Sequence, residues 1–185
     1  MKTTLFLTTA LGLCLLPVTQ AVSMNEYRAE SGVDAAFEPF LEELYASAED
    51  PGASTGFTDY FTNDGTLIVL ENTAQGADAI LRLKQALLPV DGLKQWNHFP
   101  NTTTLSSETA TYKTYQVFGA IQTTFTGGNC SLAFYQSRFT VTKDNTTGSP
   151  NLIPVSGSLV SYDDYVVSPA RSPTDIPCTK GGSVV

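Results

Sequence analysis

His98 is the only histidine in 185 residues. A side chain that changes charge near neutral pH is the first place to look for proton transfer. It lies in Leu93–Phe99, which reads as a strand, and period-two alternation places it on one face with Trp96 and Lys94. A histidine and a tryptophan on the wall of a closed cavity would form a ligand pocket. Tyr45, Tyr60, Tyr112, Tyr115, Tyr135 and Arg138 could meet the imidazole, and strand register decides which of them point inward. The candidate ligand-binding set is Tyr45, Tyr60, Trp96, His98, Tyr112, Tyr115 and Arg138, with His98 and Tyr45 as the candidate catalytic pair.

Other chemistries lack their parts. There is no Gly-x-Ser-x-Gly to carry a nucleophile. No glycine-rich loop follows a strand and opens a helix, so no nucleotide cofactor, and no cofactor of any kind, is expected. One histidine is too few for the usual metal sets, and Asp163-Asp164 reads as a solvated strand end, so no metal is expected either. The net charge of −8 argues against a phosphate-binding surface and therefore against a nucleic-acid partner. That charge is uneven. Residues 22–64 hold ten acids and a single base, Arg28. They read as an acidic helical face, which serves solubility or a basic partner.

The elements that must position His98 follow from periodicity. Phe37, Phe40, Leu41, Leu44, Tyr45 and Ala48 form a helical stripe, with Glu38, Glu42, Glu43 and Glu49 off it. Pro39 belongs in a first turn, and Asp50-Pro51-Gly52 ends the helix. A short second helix is expected at Thr58–Phe61 and a turn at Asn63-Asp64-Gly65. Thr66–Leu70 reads as a strand and Ala77–Leu88 as a helix ended by Pro89. Strands then follow at Leu93–Phe99, Thr109–Thr124, Cys130–Thr142 and Asn151–Tyr162, with Pro100 and Pro154 marking bulges or edges. Helices first and long strands afterwards imply an α+β fold, a curved antiparallel sheet whose N-terminal helices enclose a cone-shaped cavity.

The first 21 residues have the features of a signal peptide. Lys2 precedes an apolar run from Leu5 to Leu16, Pro17 breaks it, and Thr19-Gln20-Ala21 forms a small-x-small cleavage site. The run is too short to span a bilayer, so no membrane partner is expected and the protein is expected to be secreted. Export leaves Cys130 and Cys178 as an even pair, expected to form a disulfide in an oxidising compartment. Asn101, Asn129 and Asn145 each begin a glycosylation sequon. The domain plan is a signal peptide at 1–21, a lead at 22–33, a cone domain at 34–164 and an extended tail at 165–185 pinned by Cys178.

Phe61-Thr62-Asn63-Asp64-Gly65-Thr66-Leu67, the helix from Gly76 to Leu88 and Trp96-Asn97-His98-Phe99 together resemble the nuclear-transport-factor-2-like superfamily. They look most like its small secreted fungal members, related to the polyketide-cyclase-like and scytalone-dehydratase-like groups. The resemblance covers residues 34–164 and implies a cystatin-like cone with an internal small-molecule pocket. It aligns His98 with one catalytic histidine of scytalone dehydratase and Tyr45 with a tyrosine on its first helix. The second histidine of that enzyme is missing here, and Ala46 stands where its aspartate follows the tyrosine. The dehydratase mechanism is therefore not expected.

These features give three readings. The first is a secreted, noncatalytic cone protein that binds a small apolar or aromatic molecule or acts through its surface. The second is a cofactor-free lyase, isomerase or cyclase with His98 as acid–base and Tyr45 as donor. The third is an interaction protein that forms a homodimer through the open sheet face. Binding of a drug-sized ligand needs a cavity of roughly 300 Å³ or more. Catalysis needs His98 at a cavity beside a second titratable group.

Overall fold

The stripe at Phe37, Phe40, Leu41, Leu44, Tyr45 and Ala48 forms one buried face of the first helix, α1 (Phe37–Glu49). The computed structural model describes residues 22–172 of the chain. Before α1, Arg28–Ala29 (β1) adds a two-residue parallel edge to the sheet. After it come α2 (Thr55–Thr58), β2 (Phe61–Val69), β3 (Asn72–Gln75), α3 (Ala77–Leu87), β4 (Lys94–Glu108), β5 (Tyr112–Phe125), β6 (Asn129–Thr142) and β7 (Leu159–Val166). The seven strands form one sheet in the order β1-β4-β5-β6-β7-β2-β3. Pairing is antiparallel except where β1 meets β4 and β2 meets β7. This is the curved, mostly antiparallel α+β architecture expected from the sequence.

The structure departs from the expected elements in several places. The short helix is α2 at Thr55–Thr58, because Phe61 already begins β2. Asn63-Asp64-Gly65 is no chain reversal. It bulges inside β2, where the register against β7 shifts between Phe61 and Thr66. Gly65 allows this, since a Cβ there would sit 2.9 Å from both the Leu159 carbonyl oxygen and the Phe61 side chain. β3 was not expected, because Asn72–Gln75 has only Ala74 buried. β4 runs through Pro100 to Glu108, the proline absorbed by a register shift between Pro100 and Thr102. Residues 151–158 are irregular. Pro154 cannot donate to a ladder, and Val155 and Gly157 take positive φ (49° and 68°), so only Leu159 onward pairs.

The core lies between α1 and the concave face of the sheet, and it is strongly aromatic. Phe37 stacks on Tyr115 with centroids 4.0 Å apart, and Tyr45 meets Phe139, Tyr135 and Tyr162. Gly119 on β5 makes room for this packing. A Cβ there would lie 2.5 Å from the Tyr135 hydroxyl and 2.5 Å from the Phe99 carbonyl oxygen. Gly119→Ala should therefore push Tyr135 out of place and lower stability by about 1–3 kcal/mol, the usual range for overpacking. Urea unfolding would measure it, and an unchanged midpoint would show that the core yields at this point.

Candidate functional site

His98 sits on β4 with its ring clamped on three sides. Tyr45 of α1 stacks flat against it, centroids 4.2 Å apart and planes 6° from parallel. Tyr135 and Trp96 approach it edge-on, at 5.7 and 6.4 Å. Glu49, the last residue of α1, places Oε1 2.9 Å from His98 Nδ1 and accepts the His98 backbone N–H as well. Both side chains are almost fully buried, at 6% and 8% exposure. One carboxylate thus fixes the ring orientation and commits Nδ1, leaving Nε2 as the nitrogen free for a ligand. Glu49 was expected off the buried stripe. It lies four residues after Tyr45, however, and joins the inward face.

His98 also borders a cavity of about 180 Å³, which Trp96 lines with it. Its walls are mainly apolar: Phe57 from α2, Leu67 and Val69 from β2, Leu87 from α3, Trp96 from β4, Ile121 from β5 and Tyr162 from β7. Two further charged side chains reach it, Lys84 from α3 and Asp164 from β7. Leu70 and Val166 border both the cavity and a shallow depression of about 500 Å³ that is open to solvent, so the mouth lies between β2 and β7. The cavity volume is below the roughly 300 Å³ that a drug-sized ligand needs. It suits a molecule of about one ring, since apolar cavities near 150 Å³ take benzene.

Asp164 corrects the reading of Asp163-Asp164 as a solvated strand end. β7 lies between β6 and β2, not at an edge. Asp163 pairs in register with Arg138 and belongs to the outer face, so alternation turns Asp164 inward with Tyr162. Ser137 Oγ donates a 2.5 Å hydrogen bond to its Oδ1. Burial pushes the Asp164 carboxyl up to about 6, against the lowering effects of Ser137 and His98.

The other candidates fall elsewhere. Tyr45 does not line the cavity. It is fully buried behind His98, and its hydroxyl lies near those of Tyr135 and Ser137 without hydrogen-bonding geometry to either. It supports the imidazole from behind and is in no position to donate to a ligand. Tyr60 packs edge-on against Phe40 in the core. Tyr115 faces inward at the far end of the cone, where its hydroxyl donates to Asp34, which is also paired with Lys113 at 2.6 Å. Tyr112 is 44% exposed. Arg138 projects from the outer face beside Gln116 and over the Tyr165 ring. Neither Tyr60, Tyr112, Tyr115 nor Arg138 reaches the cavity, because β5 and β6 turn alternate residues outward and the cone is longer than its hollow part. Trp96 does line it. Lys94 lies over the Trp96 ring, but its ammonium donates to the Leu87 carbonyl at the end of α3. Cys178 and the first 21 residues lie outside the described residues. Among the described residues, no three His, Cys, Asp or Glu side chains converge as a metal would require.

No protein-family model matches the chain, and no curated protein matches it in sequence. Solved structures do match in shape. ActVI-ORFA from Streptomyces coelicolor aligns over 70% of this chain and 96% of its own, at 14% identity and a TM-score of 0.53. A candidate scytalone dehydratase from Novosphingobium aromaticivorans aligns over 72% of this chain and 83% of its own, also at 14% identity and 0.53. The chain shares with these structures a cone fold, helices packed against a curved, mostly antiparallel sheet. An Orange Carotenoid Protein from Anabaena, solved with canthaxanthin bound, aligns over 83% of this chain and 41% of its own, at 18% identity and 0.53. Likeness at these identities establishes the cone and leaves the chemistry to be argued from the cavity itself.

Proposed function

We propose that this cone-fold protein is a cofactor-free acid–base enzyme acting on small, largely apolar molecules of about one ring. One observation carries the reading. The imidazole of His98 is held at Nδ1 by buried Glu49 and borders an apolar cavity that also holds a second titratable group, Asp164. With Nδ1 donating to Glu49, Nε2 can accept a proton from a ligand C–H or O–H bond and return it to another atom. Asp164, with its pKa raised to about 6 by burial, can hold or release a proton near neutral pH. Isomerisation, elimination of water and ring closure all reduce to such transfers. The shape neighbour named as a candidate scytalone dehydratase supports this class.

A second reading, binding without chemistry, is favoured by the apolar walls and by the carotenoid-binding neighbour. A cavity of about 180 Å³ restricts it to far smaller ligands than a carotenoid. In either case, the leader-like residues 1–21, the Cys130 and Cys178 pair and the sequons support export. Asn129 and Asn145 are exposed and open to glycans, whereas Asn101 is half-buried on β4 and accepts from Thr102.

The test is hydrogen exchange. The protein would be incubated in D2O with a panel of one-ring ketones and aldehydes bearing α-hydrogens, and deuterium uptake followed by NMR. Stereospecific uptake on at least one compound, above the buffer rate, is expected. Saturable binding across the panel with no uptake would leave the binding reading in its place.

A further inference from the structure

Lys84 is the one charged group at the cavity that this acid–base scheme leaves without a task. It shares the inward stripe of α3 with Ile80, Leu87 and Leu88 and is 2% exposed. Its ammonium donates to the Asp50 carbonyl oxygen at 2.5 Å and stands 5.7 Å from the Phe57 ring centre. An ammonium carries three donors. Among the described residues only that carbonyl accepts from it, and no carboxylate forms an ion pair with it. A cation buried at the edge of an apolar cavity, held by one carbonyl and no carboxylate, is stabilised further by an occupant that supplies an acceptor.

We infer that the substrate carries an oxygen that becomes negatively charged during the reaction, as in a carbonyl passing to its enolate or a phenol to its phenolate, and that Lys84 donates to that oxygen. The inference rests on the acid–base reading above and adds the substrate's polar end to it. His98 takes the proton from the β4 wall. The electron pair left behind delocalises onto the oxygen, which Lys84 stabilises from the α3 wall, and the proton returns from His98 at the end. No oxidant or further reactant is needed. The other titratable groups around the cavity are Asp164 and Tyr162 from β7 and Glu49 behind His98, and Asp50 lies beside Lys84. Ionised Asp164 opposes an anion, so the effect of Lys84 is clearest near and below pH 6.

A matched pair of probes tests this, 4-nitrophenol as the oxyanion mimic and 4-nitrotoluene as its neutral isostere. Absorbance titration of bound 4-nitrophenol should show it ionising at least about one pH unit below the free dye, the effect of a nearby cation. Lys84→Met should abolish the shift and leave 4-nitrotoluene binding intact. Lys84→Arg should keep most of it. If bound 4-nitrophenol ionises at the free pH or above while 4-nitrotoluene binds, the role of Lys84 is overturned and the cavity reading stands. If neither probe displaces the other or binds at all, both fail together. Should Lys84→Met not fold, the wild-type shift and its retention in Lys84→Arg decide the matter.

Discussion

His98→Gln should lower the proton-exchange rate by about 10²–10⁴-fold, the usual worth of a positioned general acid–base group. Glutamine keeps an amide that can face Glu49 but loses the Tyr45 stack, so some stability is lost, and the rate compared per folded molecule carries the chemical effect. Glu49→Gln gives the sharper test. It keeps an oxygen that can accept the His98 backbone N–H, but it removes the charge that selects the Nδ1–H form of the ring. Because His98 is the only histidine, nitrogen-15 NMR of the untagged protein reads its tautomer without ambiguity. The wild type should show one dominant form with Nε2 unprotonated at high pH. Glu49→Gln should show a mixture and lose activity, while Glu49→Asp should recover part of both. An unchanged tautomer together with an unchanged rate would mean that Glu49 only ties α1 to β4.

The residues of this site differ in how well the sequence announces them. His98 and Trp96 are legible because strand alternation is a two-state choice and both fall on the same side. The α1 stripe and the limits of α3 are legible for the same kind of reason, since period 3.6 is strongly marked by Phe, Leu and Ile. The charge of Glu49 points to the wet side, yet its spacing from Leu41 and Tyr45 puts it on the buried face. Lys84 hides in the same way at four residues from Ile80. A charged residue at an apolar position of a stripe was the signal, and it outweighs residue type because the helix cannot turn one side chain away from its face. Asp164 depends on register. Only when β6 is known to lie beside β7, with Arg138 opposite Asp163, does Asp164 fall inside. The same long-range pairing excludes Tyr112 and Arg138, and no local pattern in the chain encodes it. The bulge at Asn63–Gly65 defeats turn chemistry because parallel pairing to β7 holds both ends of the segment in one strand.

Asp164→Asn should make the protein more stable at neutral pH while weakening its chemistry. The folded state raises the Asp164 pKa from an ordinary carboxylate value near 4 to about 6. The folded state therefore favours the protonated acid. Below about pH 4 the group is protonated in both folded and unfolded chains, and its environment is fully favourable. As pH rises from about 4 to 6 the unfolded chain ionises while the folded one keeps its proton, so stability falls; above 6 both are ionised and the loss is complete. The rise from near 4 to about 6 corresponds to roughly 2–3 kcal/mol. Asparagine cannot ionise and still offers Ser137 an acceptor oxygen. The two proteins should thus unfold alike at and below about pH 4, separate between pH 4 and about 6.5, and stay apart to pH 8, where the variant should melt about 5–10 °C higher. Proton exchange in the variant should fall, and it should lose whatever inflection near pH 6 the wild type shows. Parallel stability curves from pH 4 to 8 would remove Asp164 as the second titratable group and leave His98 alone in an apolar pocket, which is the binding reading. A stability gain joined to an activity loss is the behaviour of a carboxylate kept in a costly place for its chemistry, because packing alone would favour the neutral residue.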